Sequence, residues 1–248
     1  MGGASRSEKK RRQAEANRRL GAAGIRVPPE RNRTPLIVVA VVLVVAVIVG
    51  VTVLLNRASS TNVTPTYTAT ASGAVVTAGT GRVTIDTYED FLCPQCERFE
   101  QRYGNDVTSA LNSGQITVRF HTIAILDPST TPPGYSTRAA NAALCAVPAG
   151  IYPTFREKLF AEQPAEGSAG LTNDQLIAFG TQLGAKGDFA GCVNGGTNNA
   201  AIAAETNAAA ADPALQTDGQ FGTPTVAVGG QKIDVSSSNW LSQVLGGS

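Results

Sequence analysis

Residues 74–134 alternate short β-branched runs with one segment of helical periodicity. The runs at 74–76, 82–88 and 116–125 are apolar or alternate in polarity, which predicts three strands. Between the second and third runs, large apolar side chains recur at every fourth position, which predicts a helix over 97–111. An Asn-Ser-Gly sequence stops this helix, and proline-containing turns follow the third strand. This part of the chain therefore predicts strands flanking one helix.

The pattern becomes helical over residues 135–211 and then returns to strands. Residues 172–175 fit a capping box ahead of an apolar run, which indicates a helix start within this region. Residues 225–228 and 232–235 flank a Gly-Gly turn and predict a hairpin, and a short apolar helix follows around Trp240. The order of elements predicts an α/β fold whose mixed sheet is interrupted by a helical insertion.

Near the N-terminus, residues 36–55 form an uncharged, apolar run of twenty. This length is what a helix needs to cross the hydrocarbon core, so we predict a transmembrane helix over 35–56. A buried helix of a water-soluble domain and a cleaved signal peptide are the alternatives. The run is longer than the apolar region of a typical signal peptide, and the Asn-Arg-Ala-Ser that follows is a poor cleavage site.

Charge is distributed unevenly around this apolar run. Residues 1–34 contain ten Lys or Arg against three acidic residues, whereas the rest contains ten against sixteen. The basic flank predicts that 1–34 stays in the cytoplasm and that 57–248 lies outside the cell membrane. We interpret the basic segment as a disordered topology signal; binding to anionic lipid is the alternative.

All four cysteines lie beyond the apolar run, and their even number favours disulfides in an oxidising compartment. Cys93 and Cys96 enclose Pro94 and Gln95 where a predicted strand gives way to a helix. At a helix N-terminus, unpaired backbone N–H groups favour a thiolate, and Pro94 fits the first helical position. We therefore predict that Cys93 is the exposed, attacking thiol and that Cys96, one turn on, is the more buried, resolving thiol.

A Cys-x-x-Cys motif also suits zinc or a purely structural disulfide. The other cysteines are isolated, the nearest being 49 positions from Cys96, and His121 is the only histidine, so four zinc ligands are hard to assemble. A disulfide across so short a loop gains little stability. We expect no metal and no cofactor, and we interpret His121 as a core or rim residue.

At this point a resemblance emerges. Residues 88–96, Tyr-Glu-Asp-Phe-Leu-Cys-Pro-Gln-Cys, and residues 221–226, Phe-Gly-Thr-Pro-Thr-Val, resemble the active site and the strand entry of DsbA-like proteins in the thioredoxin superfamily. The likeness covers roughly 74–246, including the helical insertion with its cysteines. It implies that Pro224 is cis and packs beside Cys93, and that the backbone of Thr223 pairs with a bound polypeptide.

Cys145 and Cys192 are lone cysteines in the predicted helical insertion. Joined, they would act as a structural staple worth about 4 kcal/mol on the chain-entropy model. A second redox relay and two free thiols are the alternatives.

Two departures from the family pattern concern the redox pair. Gln95 stands where these oxidases often have histidine, and Thr87 stands where they often have an acidic residue. Asp86 is next to Thr87 in sequence, but strand alternation places it on the opposite face of the strand. Both departures argue against a strong oxidant, so we predict a reduction potential between about −120 and about −270 mV. We interpret Asp86 and the neighbouring acids Glu89 and Asp90 as solvated.

The resulting prediction is a thioredoxin-like fold with an inserted helical domain, preceded by one transmembrane helix. It would exchange disulfides with exported, cysteine-containing polypeptides and with a membrane redox partner, and it would not bind nucleic acid. A reductase of the same fold and a non-catalytic peptide-binding module are the alternatives. The predicted segments are the basic tail 1–34, the membrane helix 35–56, a Ser/Thr-rich linker 57–73, the thioredoxin-like parts 74–134 and 212–248, and the insertion 135–211. The linker is predicted to be extended or flexible, and its residues 67–71 could add an edge strand.

Overall fold

The computed structural model describes residues 3–22 and 63–246, which belong to two separate units of the chain. In the first unit, helix α1 spans Gly3–Ala22. Its exposed side chains include the ion pairs Glu8–Arg12 and Glu15–Arg19, each four residues apart. The expectation of a disordered tail is wrong over these residues, because such pairs and helix-forming side chains favour a helix.

The predicted transmembrane helix 35–56 lies outside the described residues. Among the helices of 3–22 and 63–246, none combines the length and the apolar character that a membrane span requires.

In residues 63–246, six strands form one mixed sheet in the order β1-β2-β4-β3-β5-β6. β3 and β4 pair in parallel, with Thr87 opposite Phe120, and the other neighbours pair antiparallel. The strands are β1 Ala69–Ser72, β2 Val75–Gly79, β3 Val83–Glu89, β4 Ile116–Thr122, β5 Thr225–Val228 and β6 Gln231–Lys232.

Helices cover both faces of the central strands. On β4, Phe120 lies against Tyr152 and Arg156 of one helix, whereas the next residue, His121, contacts Glu205 of another. The helices are α2 Pro94–Asn112, α3 Tyr135–Ala146, α4 Tyr152–Ala161, α5 Asn173–Gln182, α6 Phe189–Gly195, α7 Asn199–Ala211 and α8 Trp240–Gly246. Because α3 to α7 lie between β4 and β5, the prediction of an α/β sheet with a helical insertion is confirmed.

Local sequence signals set several boundaries. The Thr172 side chain and Gln175 form the predicted capping box at the start of α5. Helix α2 begins at Pro94, three residues earlier than the apolar periodicity predicts, since proline fits the first helical turn. The second hairpin strand is shorter than predicted, because the Val235 carbonyl accepts a hydrogen bond from Tyr103 at 2.9 Å instead of from the sheet.

Residues 63–72 pack on the folded domain rather than forming a free linker. The backbone N–H of Val63 donates to the Asn105 side chain at 2.8 Å, and that of Thr66 donates to Asn112 at 2.7 Å. Asn112 in turn donates to the Thr64 carbonyl at 2.9 Å. Over these residues the segment has the extended form that the prediction allowed and is packed rather than flexible, and the alternation at 67–71 leads into an edge strand, β1.

Candidate redox site

Cys93 occupies the cap position of α2, with φ −73° and ψ 116°, immediately after the turn that follows β3. Pro94 takes the first helical position, where its missing N–H removes no hydrogen bond. The Cys93 carbonyl accepts from the N–H of Cys96 at 3.0 Å and from that of Glu97 at 3.2 Å. The Cys-Pro-Gln-Cys sequence thus forms the first helical turn, with both sulfurs on one side.

Both cysteines of this pair are unbonded thiols, and both are buried. Cys93 is 6% exposed and Cys96 is 2% exposed. The predicted order of burial agrees with these values, but the description of Cys93 as an exposed thiol is wrong, because the loop before β5 covers it. Gln95, between them, is exposed.

The covering loop contains Thr223 and Pro224, joined by a cis peptide bond. The Cys93 thiol donates to the Thr223 carbonyl at 3.3 Å, across 130 residues of sequence. The Thr223 hydroxyl is buried and, within the described part of the chain, has no hydrogen-bond partner while Cys93 is a thiol, so it is free to donate to a Cys93 thiolate. The structure therefore brings Cys93, Cys96, Thr223 and Pro224 together, with one unused hydroxyl donor beside the sulfurs.

The surroundings separate the acidities of the two thiols. The Cys96 thiol, the Thr223 side chain and the backbone N–H groups of Cys96 and Gln95 lower the pKa of Cys93 to about 6, although burial acts in the opposite direction. Burial and the neighbouring Cys93 sulfur raise the pKa of Cys96 well above its usual value. Near neutral pH the pair therefore holds one thiolate, on Cys93.

Hydrogen bonds to Asp90 stabilise the turn between β3 and Cys93. Its carboxylate is fully buried and accepts from the N–H of Leu92 and of Leu126, each at 2.9 Å, and from the Ser136 hydroxyl at 2.7 Å. Burial raises the pKa of Asp90 to about 6, although these donors oppose the change. The interpretation of Asp90 as a solvated acid is wrong, because residues distant in sequence enclose it.

Glu89 is also buried, in an ion-pair network that the sequence did not reveal. Arg156 of α4 donates to both oxygens of Glu89, at 2.8 and 2.6 Å, and to Glu100 of α2 at 2.7 Å. Its guanidinium lies 4.5 Å from the ring centroid of Phe120. Although burial disfavours the charge, the two carboxylates raise the pKa of Arg156 well above its ordinary value. Arg156 begins a run of three charged residues with Glu157 and Lys158, so nothing in the sequence indicated that its side chain would be buried.

Asp86 does not take part in the thiol site. As the strand alternation predicts, it lies on the opposite face from Thr87, where it accepts from Arg119 at 2.5 and 2.6 Å and contacts His121 at 2.9 Å. The other ring nitrogen of His121 lies 2.6 Å from Glu205. Asp86 is buried, so its description as solvated is wrong, and His121 is a rim residue with two carboxylate partners.

Cys145 and Cys192 form a disulfide between α3 and α6, with their Cα atoms 5.9 Å apart. This bond lies within the helical insertion and includes neither residue of the Cys93–Cys96 pair.

An open groove of about 540 Å³ runs beside Pro224 and the edge strand β6. Its walls include Gln216, Thr217, Lys232 and Ile233. Over the described residues, no group of three or more His, Cys, Asp or Glu side chains is placed to hold a metal ion. The site thus consists of two thiols, a cis-proline loop and a neighbouring groove.

Comparison with known proteins places this arrangement in context. A family model described as thioredoxin matches residues 74–245. The reduced disulfide bond oxidoreductase DsbG from Mycobacterium tuberculosis is 32% identical, with a TM-score of 0.56, over 65% of this chain and 76% of that protein. The thiol-disulfide oxidoreductase MdbA from Corynebacterium matruchotii is 26% identical, with a TM-score of 0.63, over 73% and 93%. Reduced DsbA from M. tuberculosis is 26% identical, with a TM-score of 0.57, over 75% and 87%.

Among curated proteins, the serine/threonine-protein kinase PknE of M. tuberculosis is 29% identical over 180 residues. These residues represent 70% of this chain, and the match spans 31% of the length of the kinase. The likeness therefore concerns one part of a longer relative.

Proposed function

This chain belongs to the thioredoxin family, in its branch of DsbA-like thiol–disulfide oxidoreductases, and we propose that it exchanges disulfides with exported polypeptides through Cys93 and Cys96. The observation that carries this proposal is the position of Cys93, which lies at the N-terminus of α2 and donates to the Thr223 carbonyl beside cis Pro224, with Cys96 one turn on. The acidities of the two thiols agree with this arrangement. A pKa of about 6 makes Cys93 a thiolate near neutral pH, and a thiolate is both the nucleophile and the better leaving group in disulfide exchange.

In the oxidising direction, the reaction begins from a Cys93–Cys96 disulfide. A substrate thiolate attacks the sulfur of Cys93, the bond between the cysteines breaks, and Cys96 leaves as a thiolate that takes up a proton. A second substrate thiolate then attacks the substrate sulfur of the mixed disulfide and releases Cys93 as a thiolate. The substrate has lost two electrons and gained a disulfide, and the protein is left as the dithiol, which a membrane redox partner would reoxidise.

We propose oxidase or isomerase as the direction of transfer. Groups that stabilise the Cys93 thiolate stabilise the reduced protein, and a stabilised reduced form makes a disulfide more oxidising. Gln95 and Thr87 are uncharged, so neither adds to the stabilisation of the Cys93 thiolate. The expected reduction potential therefore remains between about −120 and about −270 mV. A reductase remains the alternative at the negative end of this range.

The proposed location is the outer side of the cell membrane, with the N-terminus inside. The apolar run 36–55 and the basic segment before it support this location. The Cys145–Cys192 disulfide adds support, because disulfides persist in oxidising compartments.

The groove beside Pro224 offers space for an extended polypeptide.

The test is to trap the mixed disulfide in cells that express the full chain with Cys96→Ala. Without the resolving thiol, Cys93 should remain joined to its substrates. These adducts should appear on non-reducing gels of the membrane fraction, and the trapped substrates should be exported proteins. The Cys93→Ser, Cys96→Ala double variant is the matched control and should trap nothing. If Cys96→Ala also traps nothing, the fold acts as a non-catalytic binding module.

The direction of transfer is tested on the same protein with ribonuclease A. An oxidase should restore activity to the reduced enzyme, whereas an isomerase should restore activity to the scrambled, already oxidised enzyme. A protein that only reduces insulin disulfides would contradict the proposed direction.

A further inference from the structure

Gln163, just beyond the end of α4, holds the backbone that carries Cys93. Its side-chain amide donates to the Phe91 carbonyl at 3.0 Å and to the Cys93 carbonyl at 3.2 Å. Because both partners are carbonyl oxygens, the amide group must present its NH₂ rather than its oxygen to them. The residue is half-buried, so these bonds are partly shielded from water.

These bonds complete a row of contacts between one face of α4 and the active-site turn. Arg156 pairs with Glu89, and the ring of Phe160, four residues later, lies 5.0 Å from that of Phe91. Gln163, three residues further on, reaches Cys93. Arg156 and Phe160 are four residues apart and share one face of α4, and Gln163 follows just after the helix ends. Together they contact Glu89, Phe91 and Cys93, every second residue between the end of β3 and the start of α2.

The Cys93 carbonyl connects these contacts from α4 to the redox pair. It also accepts the N–H groups of Cys96 and Glu97, which form the first turn of α2. Gln163 is therefore a third donor, and it approaches from outside the helix. The carbonyl that it holds accepts the Cys96 N–H, so Gln163 helps to position the first turn of α2, whose N–H groups at Gln95 and Cys96 lower the pKa of Cys93.

We propose that Gln163 is a positioning residue through which the helical insertion sets the stability of the Cys93 thiolate and hence the redox balance of the pair. The inference rests on the proposed redox role of Cys93. Gln163 itself touches neither sulfur and acts through the backbone carbonyls. Its removal should therefore change thiol acidity and the redox equilibrium while leaving the sequence of chemical steps unchanged.

Two near-isosteric variants of the full chain separate the amide's hydrogen bonds from its bulk. Gln163→Met keeps an unbranched side chain of similar length without a donor, and Gln163→Glu places a carboxylate against two carbonyl oxygens. We expect the Cys93 pKa to rise by about half a unit with methionine and by about one unit with glutamate. The pKa is measured from thiolate absorbance at 240 nm and from the pH dependence of alkylation by iodoacetamide.

The redox equilibrium gives a second, independent measurement. Because a less stable thiolate destabilises the reduced form, equilibration with glutathione at pH 7 should shift towards the protein disulfide. The expected shift is about two- to threefold for Gln163→Met and about fivefold for Gln163→Glu. The same substitutions at the exposed Gln182 of α5 serve as matched controls and should leave both values unchanged.

The outcomes are distinct for the two proposals. If Gln163→Met leaves both the Cys93 pKa and the glutathione equilibrium at wild-type values, the positioning role is wrong. A fall in thermal stability with an unchanged pKa would also overturn it, since that result describes packing alone. The pKa requires no substrate, so it decides the role of Gln163 even if Cys96→Ala traps no polypeptide and the proposed function fails.

Discussion

Cys93 and Cys96 are unbonded thiols within a single helical turn, whereas Cys145 and Cys192 form a disulfide between two helices of the insertion. The cysteines of the first pair are three positions apart in sequence, and those of the second are 47 positions apart. Both pairs are inside the same thioredoxin-like unit, so compartment and fold class are common to them. The surroundings of the sulfurs are what differ.

The comparison shows that burial alone does not decide what a cysteine does. Cys93 is 6% exposed and Cys145 is 1% exposed. Several donors at the start of α2 stabilise a thiolate on Cys93, whereas the Cys145 sulfur is bonded to Cys192 and accepts one long contact, from the Asn198 amide at 3.6 Å. A cross-link gains stability from the length of the loop that it closes, so the 47-residue separation favours a staple and the three-residue spacing does not. One pair therefore suits exchange, and the other suits stability.

The largest expected effect distinguishes the pairs by activity. Cys93→Ser removes the thiolate and should lower the rate of disulfide exchange by at least about a hundredfold, because a serine hydroxyl does not exchange with disulfides. Turnover of a fluorescent disulfide substrate measures this loss. The Cys145→Ala, Cys192→Ala double variant should retain most of the wild-type rate. Comparable losses in both variants would show that the second pair also carries electrons.

The next effect distinguishes the pairs by stability. Removing the Cys145–Cys192 bond should lower the free energy of unfolding by about 4 kcal/mol on the chain-entropy model. Denaturant titration of the oxidised double variant against wild type measures this change. Cys93→Ser, compared with the reduced wild-type protein at about pH 6, where the thiolate contributes least, should cost much less. A double variant as stable as wild type would mean that the bond is not a staple.

The smallest effect concerns pH and belongs to the first pair alone. The pKa of Cys93 falls from 9.0 to about 6 on folding, so its thiolate stabilises the reduced protein fully above pH 9 and loses this contribution as pH falls through about 6. The advantage of reduced wild type over Cys93→Ser should therefore grow between about pH 6 and pH 8, by at most about 1.4 kcal/mol per pH unit. Urea titrations at several pH values measure it.

Two features make this last measurement selective. Burial is the main cause of the raised pKa of Asp90 and acts in both proteins, whereas the smaller contribution of the Cys93 charge is present in wild type alone. The Cys145–Cys192 bond does not titrate. A difference that stays constant with pH would mean that Cys93 has an ordinary thiol acidity. The comparison of the two pairs would then rest on loop length alone.

The sequence predicted those parts of the site that local patterns encode. Cys-x-x-Cys with Pro94 specifies a helix start, and the alternating strand residues place Asp86 and Thr87 on opposite faces, as found. The capping box at Thr172 and the helical insertion also follow from spacing over a few residues. Short-range signals of this kind need no knowledge of distant partners.

The parts that the sequence did not predict depend on contacts between distant segments. Glu89 and Asp90 looked solvated because three acids near a strand end usually are, but Arg156 and Ser136 approach them from the insertion. Gln163 carries no periodic or motif signal at all. Its role emerges only when the end of α4 is placed against the turn before α2.

The contacts of residues 63–68 with α2 bear on how the isolated domain should be produced. The family match begins at residue 74, and a fragment cut there would lose the backbone partners of Asn105 and Asn112, as well as the partly buried ring of Tyr67. The helix that starts at the redox pair would then have one side newly exposed to solvent. Starting the fragment at Val63 preserves that side, so the packed domain includes at least about ten residues before the start that the family comparison indicates.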